Sequence, residues 1–437
     1  FTFDDSGEAD DDTLGIPSPI ATMERLIAEN PKNGEVIFPY IGGKEVNDSP
    51  TQKHHRFVID FRDRSEEECR REWPSLMELL DKKVKPERTR MKPNGEYALR
   101  SPLPQRWWHH ADKRPALYAS ISGLHRVLVT GAAATQYLTF PFISATQTYS
   151  HKLIIFPWDK SRQFACLLSN VHTVFASFFS GTLEDRLTYN PSDCFETFPF
   201  PAALLDSSES DPTQATTRQA LEAIGEHYHQ FRAELMVSNN EGLTSTYNRF
   251  HDPAETSEGI LKLRRLHDEM DQAVLAAYGW SEALPTGSGT NPSTSPCGFG
   301  LDYLDLEDDA LLPPDLQERI VSGDLFFPTA TEACSFQAQL RRYGAVKPSK
   351  KLPWRHRWPD FARDDVLARL LALNAERFAE EQAMGLQGKG GSRNKPYPKT
   401  SQKQAQPPLQ TSGTDSDFTN QTSLFSLPIE LSPPKSP

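Results

Sequence analysis

The sequence predicts an α+β protein: a domain built on a curved mixed sheet, then a helical domain, then a disordered tail. Three observations carry this. Short runs rich in Val, Ile, Phe and Thr, namely EVIFPYIGG (35–43), HRFVIDF (55–61), HRVLVT (125–130) and HKLIIF (151–156), are separated by turn residues. From about residue 216 to 384, long stretches repeat apolar residues at three- and four-residue spacing. From Gly385 onward Gly, Ser, Gln, Lys and Pro dominate without apolar periodicity. The expected division is an acidic linker at 1–29, a sheet domain at 30–202, a helical domain at 203–384 and a tail at 385–437.

Taken in order, residues 1–20 are acidic and punctuated by Gly and Pro, which reads as a linker. A short helix at 22–29 is stopped by Pro31. The runs 35–43 and 55–61 pair as strands. Ser65 opens an S-x-x-E capping box with Glu68, and the helix that follows reaches about Leu80, bent or restarted at Pro74. Prolines at 86, 93, 102 and 104 make 82–105 an extended connector. Arg114-Pro115 starts a helix through Ser122, with Gly123 as its stop. Strands are expected at 125–130, 136–140 and 151–156. Phe164, Ala165, Leu167, Leu168, Val171, Val174, Phe175 and Phe178 define one buried helical face. The aromatics of CFETFPFP (194–201) are expected to pack on the sheet and close the domain. After a polar linker at 206–214 come helices at about 216–237 and from the Asp252-Pro253-Ala254-Glu255 cap to Ala277, ending at Gly279. A Gly/Ser/Thr/Pro tract at 285–295 precedes a mostly irregular segment and a last helix at 364–384.

The 437 residues carry a formal net charge of −12, which argues against a nucleic-acid partner until its distribution is considered. Between Lys82 and Arg126 eleven Lys/Arg face three Asp/Glu, while acidic clusters sit at 4–12 and 302–309. The five cysteines are scattered and never spaced C-x-x-C, so buried free thiols are expected rather than disulfides or a structural zinc site. No apolar run reaches the roughly 18 residues that span a bilayer. No membrane association is expected, and a cytoplasmic location is. Phe1 opens the chain and Met23 is its first methionine, which suggests a piece of a longer protein.

Three runs, NPKNGEVIFPYIGGKEVN (30–47), RWWHHADKRPALYASISGLHRVLV (106–129) and RLTYNPSDCFETFPFP (186–201), resemble the target-recognition domain of adenine-specific DNA methyltransferases. The likeness is to the large single-chain type IIG/IIL restriction-modification enzymes and related phage-defence methylases. TYNRFHDP (246–253), LRRLHDEMDQAVLAAYGW (263–280) and VLARLLALNAERFAEE (366–381) resemble the helical region that follows that domain. The resemblance implies a sequence-reading module for duplex DNA, serving a methylase core N-terminal to it that uses S-adenosylmethionine. That chemistry needs a glycine-rich turn after a strand and an Asn/Asp-Pro-Pro-aromatic loop for the flipped adenine. Neither is present, and Asn190-Pro191-Ser192-Asp193 imitates the loop only weakly, so no cofactor is expected in this chain. Asp81-Lys82-Lys83 is a fragment of a nuclease motif without an upstream acidic partner. A stand-alone specificity or scaffold subunit of a phage-defence complex is the alternative. An independent hydrolase using His109 or His110 lacks a nucleophile elbow.

Lys and Arg engage phosphates without reading sequence, whereas polar side chains read base edges. The phosphate candidates are Lys83, Lys85, Arg88, Arg90, Lys92, Arg106, Lys113 and Arg114. The base-reading candidates are Thr130, Thr135, Gln136, Thr146, Gln147, Tyr149 and His151, where Gln suits adenine N6/N7 and Thr offers a hydroxyl or a methyl. Trp107 and Trp108 are expected to pack in the core. His109 and His110 are expected to face solvent or phosphate, and no metal is assigned.

Overall fold

Phe3 is fully buried, and that one residue overturns the expected linker. In the computed structural model, which describes residues 1–111, 113–132, 135–183, 186–205, 212–283, 296–307 and 312–385, the chain opens with β1 (Thr2–Phe3), α1 (Ile20–Glu29), β2 (Ile37–Ile41), α2 (Gly43–Asp48) and β3 (Arg56–Ile59). β1 pairs antiparallel with β3, placing Phe3 opposite Phe57. Phe3 then packs with Met23, Trp73 and Trp107 in a core of its own. An apolar side chain in register with a strand outweighs the acidic, turn-rich composition around it. The tract at 285–295 and all of the expected tail beyond Gly385 lie outside the described residues, as do parts of 206–214 and 302–309.

Next come α3 (Glu66–Glu72), α4 (Pro74–Lys83) and α5 (Lys85–Arg88). The Ser65 hydroxyl accepts from Glu68 N at 3.2 Å, as the capping pattern predicts. Pro74 restarts the helix rather than bending it, since its ring suits only a first turn. α6 (Pro115–Ile121) leads into β4 (Arg126–Gly131), β5 (Phe142–Ser144), β6 (Thr148–Tyr149) and β7 (Leu153–Phe156). One sheet has the order β1-β3-β2-β6 and is mixed, because β2 and β6 run parallel. A second, β5-β4-β7, is antiparallel. The strand expected at 136–140 forms instead at Phe142–Ser144, paired with Arg126 to Leu128.

The single buried helix expected around 164–178 is two: α7 (Ser161–Leu168) and α8 (Asn170–Phe179). Ser169 breaks it by capping, its hydroxyl accepting from His172 N at 3.4 Å. The apolar periodicity continues through the break, but Phe178 ends exposed. β8 (Gly181–Leu183), β9 (Arg186–Thr188), α9 (Pro191–Cys194) and α10 (Ala202–Leu205) follow. Phe195 lies 4.8 Å from Phe156 and 5.0 Å from Trp158, so the closing aromatics do pack on the sheet.

The long helices are α11 (Pro212–Asn239), α12 (Leu243–His251) and α13 (Glu258–Tyr278). α13 starts after Ser257, because Asp252 caps a separate turn through Ala254 N at 2.9 Å. It ends, as expected, on Gly279, whose φ of 76° favours glycine. The segment expected to be irregular folds as β10 (Gly298–Leu301), α14 (Pro314–Ser322), β11 (Phe326–Phe327), α15 (Ala330–Arg342) and β12 (Trp354–Arg357), closed by α16 (Asp360–Ala383). Phe299, Phe327, Phe336 and Trp354 give this lobe its own core. The largest core runs from Ile41 through α7, α8, α11 and α13 to Leu370. Sheet and helices therefore share one interior.

Candidate nucleic-acid interface

The basic stretch divides into cations that fold the chain and cations that face outward. Lys83 is 3% exposed. Its ammonium donates to the carbonyl oxygens of Asp10, Thr13 (2.7 Å) and Ile16 (3.2 Å), fastening the N-terminal segment to α4. A buried ammonium with three acceptors is satisfied and cannot reach a phosphate, so Lys83 leaves the candidate set. Lys85 pairs with Asp81 at 3.2 Å and lies 4.9 Å above the Trp107 ring. Lys113 pairs with Asp63 at 2.7 Å, which holds the Asp63 carboxyl below its usual range. Arg88 sits on α5 with Nη1 buried. Lys92 is exposed and loosely paired with Glu96 at 3.9 Å. Arg114 adopts a left-handed conformation, φ 44°, immediately before Pro115. Among the described residues, Arg90 and Arg106 are exposed and make no ion pair.

Trp107 is buried, and Trp108 donates its indole N–H to Arg64 O at 3.1 Å. The two histidines beside them turn inward, contrary to expectation. His109 donates to Arg64 O at 2.7 Å and His110 to Ile59 O at 3.0 Å. Burial pushes both imidazoles below their ordinary pKa. The acceptors are the Arg64 carbonyl, in the loop after β3, and the Ile59 carbonyl, at the end of β3.

The base-reading candidates divide in the same way. Thr130, Gln147 and Tyr149 are buried. Tyr149 donates its hydroxyl to Ser144 O at 2.8 Å and stacks on Tyr118, and burial pushes its phenol up. Gln147 donates to the same Ser144 carbonyl at 3.3 Å. Gln147 and Tyr149 shape the turn after β5, Thr130 lies within β4 opposite Ile154 of β7, and none of the three faces solvent. Thr135 is half-buried and bridges Leu187 through backbone bonds of 2.9 and 3.0 Å. Gln136, Thr146 and His151 are exposed.

Sequence reasoning missed what stands behind Gln136. The Tyr137 hydroxyl donates to Asn248 Oδ1 at 2.8 Å, and its ring stacks on His251 at 4.7 Å. Arg355, from β12, donates to Gln136 O at 3.3 Å and lies 5.1 Å over the Tyr137 ring. Gln136, Tyr137, Tyr247, His251 and Arg355 line one cavity of about 420 Å³. The TYNRFHDP run held the signal for Asn248 and His251; nothing local to WRHR pointed to Arg355.

Asn190-Pro191-Ser192-Asp193 does not fit the loop that holds a flipped adenine. Asn190 spends its amide on its own turn, accepting from Ser192 N at 3.3 Å and donating to Asp193. The segment is the capped start of α9, so no methyl-transfer step is routed through it.

Residues 8–202 match the family described as MmeI, target recognition domain. This segment is an MmeI-type target recognition domain. All fifteen candidates for phosphate and base contact fall inside the target recognition domain, whereas Asn248, His251 and Arg355 come from beyond it. Its match begins within the stretch expected to be a linker. Among solved structures, the chain is similar to the type IIL restriction-modification enzyme MmeI in complex with DNA. The identity there is 17% and the TM-score 0.42, over 67% of this chain and 32% of that one. The chain thus spans about a third of that enzyme's length. Comparison with curated proteins gives no match. No helix among the described residues is long and apolar enough to cross a membrane.

Proposed function

We propose that this chain is the part of an N6-adenine DNA methyltransferase of the restriction-modification kind that reads duplex DNA sequence. The match of residues 8–202 to a target recognition family carries the reading. Arg90, Lys92 and Arg106 supply exposed cations for phosphates, and Gln136, Thr146 and His151 supply exposed polar groups for base edges. The methylase core, with its S-adenosylmethionine, lies N-terminal to this chain in the parent protein or in a neighbouring subunit, and the parent works in the cytoplasm. This chain docks the duplex and sets which adenine meets that core.

The test is selection from a randomised duplex pool, followed by binding to the enriched duplex across a salt series. The expected results are a shared motif and an affinity that falls steeply with salt, as release of counterions from several phosphates requires. A pool that yields no motif, or an affinity indifferent to salt, overturns the proposal. Stoichiometric binding of S-adenosylmethionine to this chain alone would overturn the placement of the methylase core outside it.

A further inference from the structure

Three residues far apart in sequence meet where the C-terminal lobe joins the helices. Asp268 lies on α13, Cys297 directly precedes β10, and His356 lies on β12. All three are buried, and a carboxylate oxygen, the thiol sulfur and a ring nitrogen lie within 4.8 Å of one another. β10 and β12 pair antiparallel with Phe299 opposite His356, so the ladder holds His356 directly and fixes Gly298, the neighbour of Cys297. His356 Nδ1 is buried without a hydrogen-bond partner.

We propose that Asp268, Cys297 and His356 bind a divalent transition-metal ion of the zinc class, which fastens the C-terminal lobe to α13. The donor types are those that zinc takes, at about 2.0 to 2.3 Å each. Donors at those lengths from a common centre stand about 3.5 Å apart, so binding draws these three inward by about an ångström. A carboxylate and a thiolate together offset the charge of the ion, which suits a buried site. The Arg264 guanidinium, on the preceding turn of α13, is spent elsewhere, donating to the carbonyls of Phe250 (2.8 Å), Asp252 (2.7 Å) and Arg249 (3.2 Å). His356 also lines the cavity of about 420 Å³, which gives the ion a way in and room for a water as fourth ligand. Fixing His356 fixes its neighbour Arg355, and through it the Gln136 carbonyl.

The site was invisible to spacing rules because its ligands stand 29 and 59 residues apart and come from three elements. A two-cysteine or two-histidine pair within one hairpin leaves a local pattern. One ligand per element does not.

The test is metal content and cobalt spectroscopy on the full chain. Protein purified without chelator should carry about one equivalent of zinc. Stripping it with EDTA should lower the melting temperature, and added Zn²⁺ should restore it. Co²⁺ bound to the stripped protein should show a thiolate-to-cobalt absorption that is lost in Cys297→Ser and kept in Cys334→Ser, whose half-buried thiol is the control. His356→Gln and Asp268→Asn should each weaken Zn²⁺ binding at least roughly tenfold. If the variants do not fold, the cobalt spectrum of the unmodified chain decides. A stripped chain that takes up no stoichiometric metal, shows no thiolate band, or keeps the band in Cys297→Ser overturns the proposal. None of these readouts requires DNA, so this proposal and the DNA-reading one fail independently.

Discussion

Arg355 donates from Nη2 to the carbonyl oxygen of Gln136 at 3.3 Å, across 219 residues of chain, and covers the face of Tyr137 at 5.1 Å. The loop that carries Gln136 is therefore tied to the C-terminal lobe through Arg355, as well as to Leu187 of β9 through Thr135. A loop tip that presents an amide must pay the entropy of being fixed before it can discriminate one base from another. Three contacts supply that order here: Arg355 from above, the His251 ring stacked against Tyr137, and Asn248 accepting from the Tyr137 hydroxyl.

Arg355→Ala should lower affinity for the selected duplex by roughly 5- to 30-fold, about 1–2 kcal/mol, with a much smaller effect on random duplex. Gln136→Ala should relax discrimination at one base position by a similar amount. Competition binding against random duplex checks both. Equal loss on both duplexes after Arg355→Ala would assign Arg355 to a phosphate instead of to the loop.

The basic tract should split cleanly by experiment. Arg90→Ala, Lys92→Ala and Arg106→Ala should each reduce the slope of log affinity against log salt by about 1, the signature of one lost phosphate contact, and leave thermal stability unchanged. Lys83→Met should do the reverse, costing about 2 kcal/mol or more by stranding three carbonyls while leaving the slope alone. A changed slope in Lys83→Met would return it to the interface.

What the sequence disclosed and what it hid follow from the range of the forces involved. Helix starts at Ser65 and stops at Gly279 were legible because capping acts within four residues. The pairing of 35–43 with 55–61 was legible because alternation and turn residues are local too. The C-terminal lobe was misread as irregular because its strands are only two to four residues long and its helices follow Pro-rich, charged segments. The functional candidates fared unevenly for a single reason. Residue type names what a side chain can do, but burial decides whether it can be reached. Lys83, Thr130, Gln147 and Tyr149 have suitable chemistry and face inward, while Arg355 acts on Gln136 through a contact that only tertiary structure creates.

His172 sets an acid limit on stability. It is fully buried, donating from Nδ1 to Leu167 O at 2.9 Å and accepting the Tyr189 hydroxyl at Nε2 (3.2 Å), and burial lowers its pKa to about 4. The unfolded chain takes up this proton near pH 6.5, so it binds more protons than the folded state between there and pH 4. The stabilisation is complete above pH 6.5 and is lost as pH falls to 4, by up to about 3 kcal/mol. Melting temperature should therefore drop more steeply over that window in the native chain than in His172→Gln, where the other buried histidines are unchanged. Parallel curves would show that His172 does not titrate with unfolding.

Gly225 is the position where a single methyl group should cost most. A Cβ there would meet the backbone oxygen of Ser161 at 2.1 Å, so α11 and α7 touch backbone to backbone. α7 cannot back away, because α11 also caps its N-terminus: the Glu222 carboxylate accepts from Ser161 N at 2.9 Å and Arg162 N at 3.1 Å. In an exposed helix Gly→Ala would gain about 1 kcal/mol. At Gly225 the sign should reverse, with Gly225→Ala destabilising by about 3 kcal/mol through separation of the helices and loss of the cap. Gly259→Ala is the matched control: its Cβ would meet only the movable Leu235 side-chain end at 2.5 Å, and the helix can absorb that by a rotamer change. Denaturant unfolding of the two variants should therefore show a large loss for Gly225→Ala and a change within about 1 kcal/mol for Gly259→Ala. Comparable losses at both would mean that helix propensity and side-chain crowding, rather than the α7–α11 approach, govern these positions.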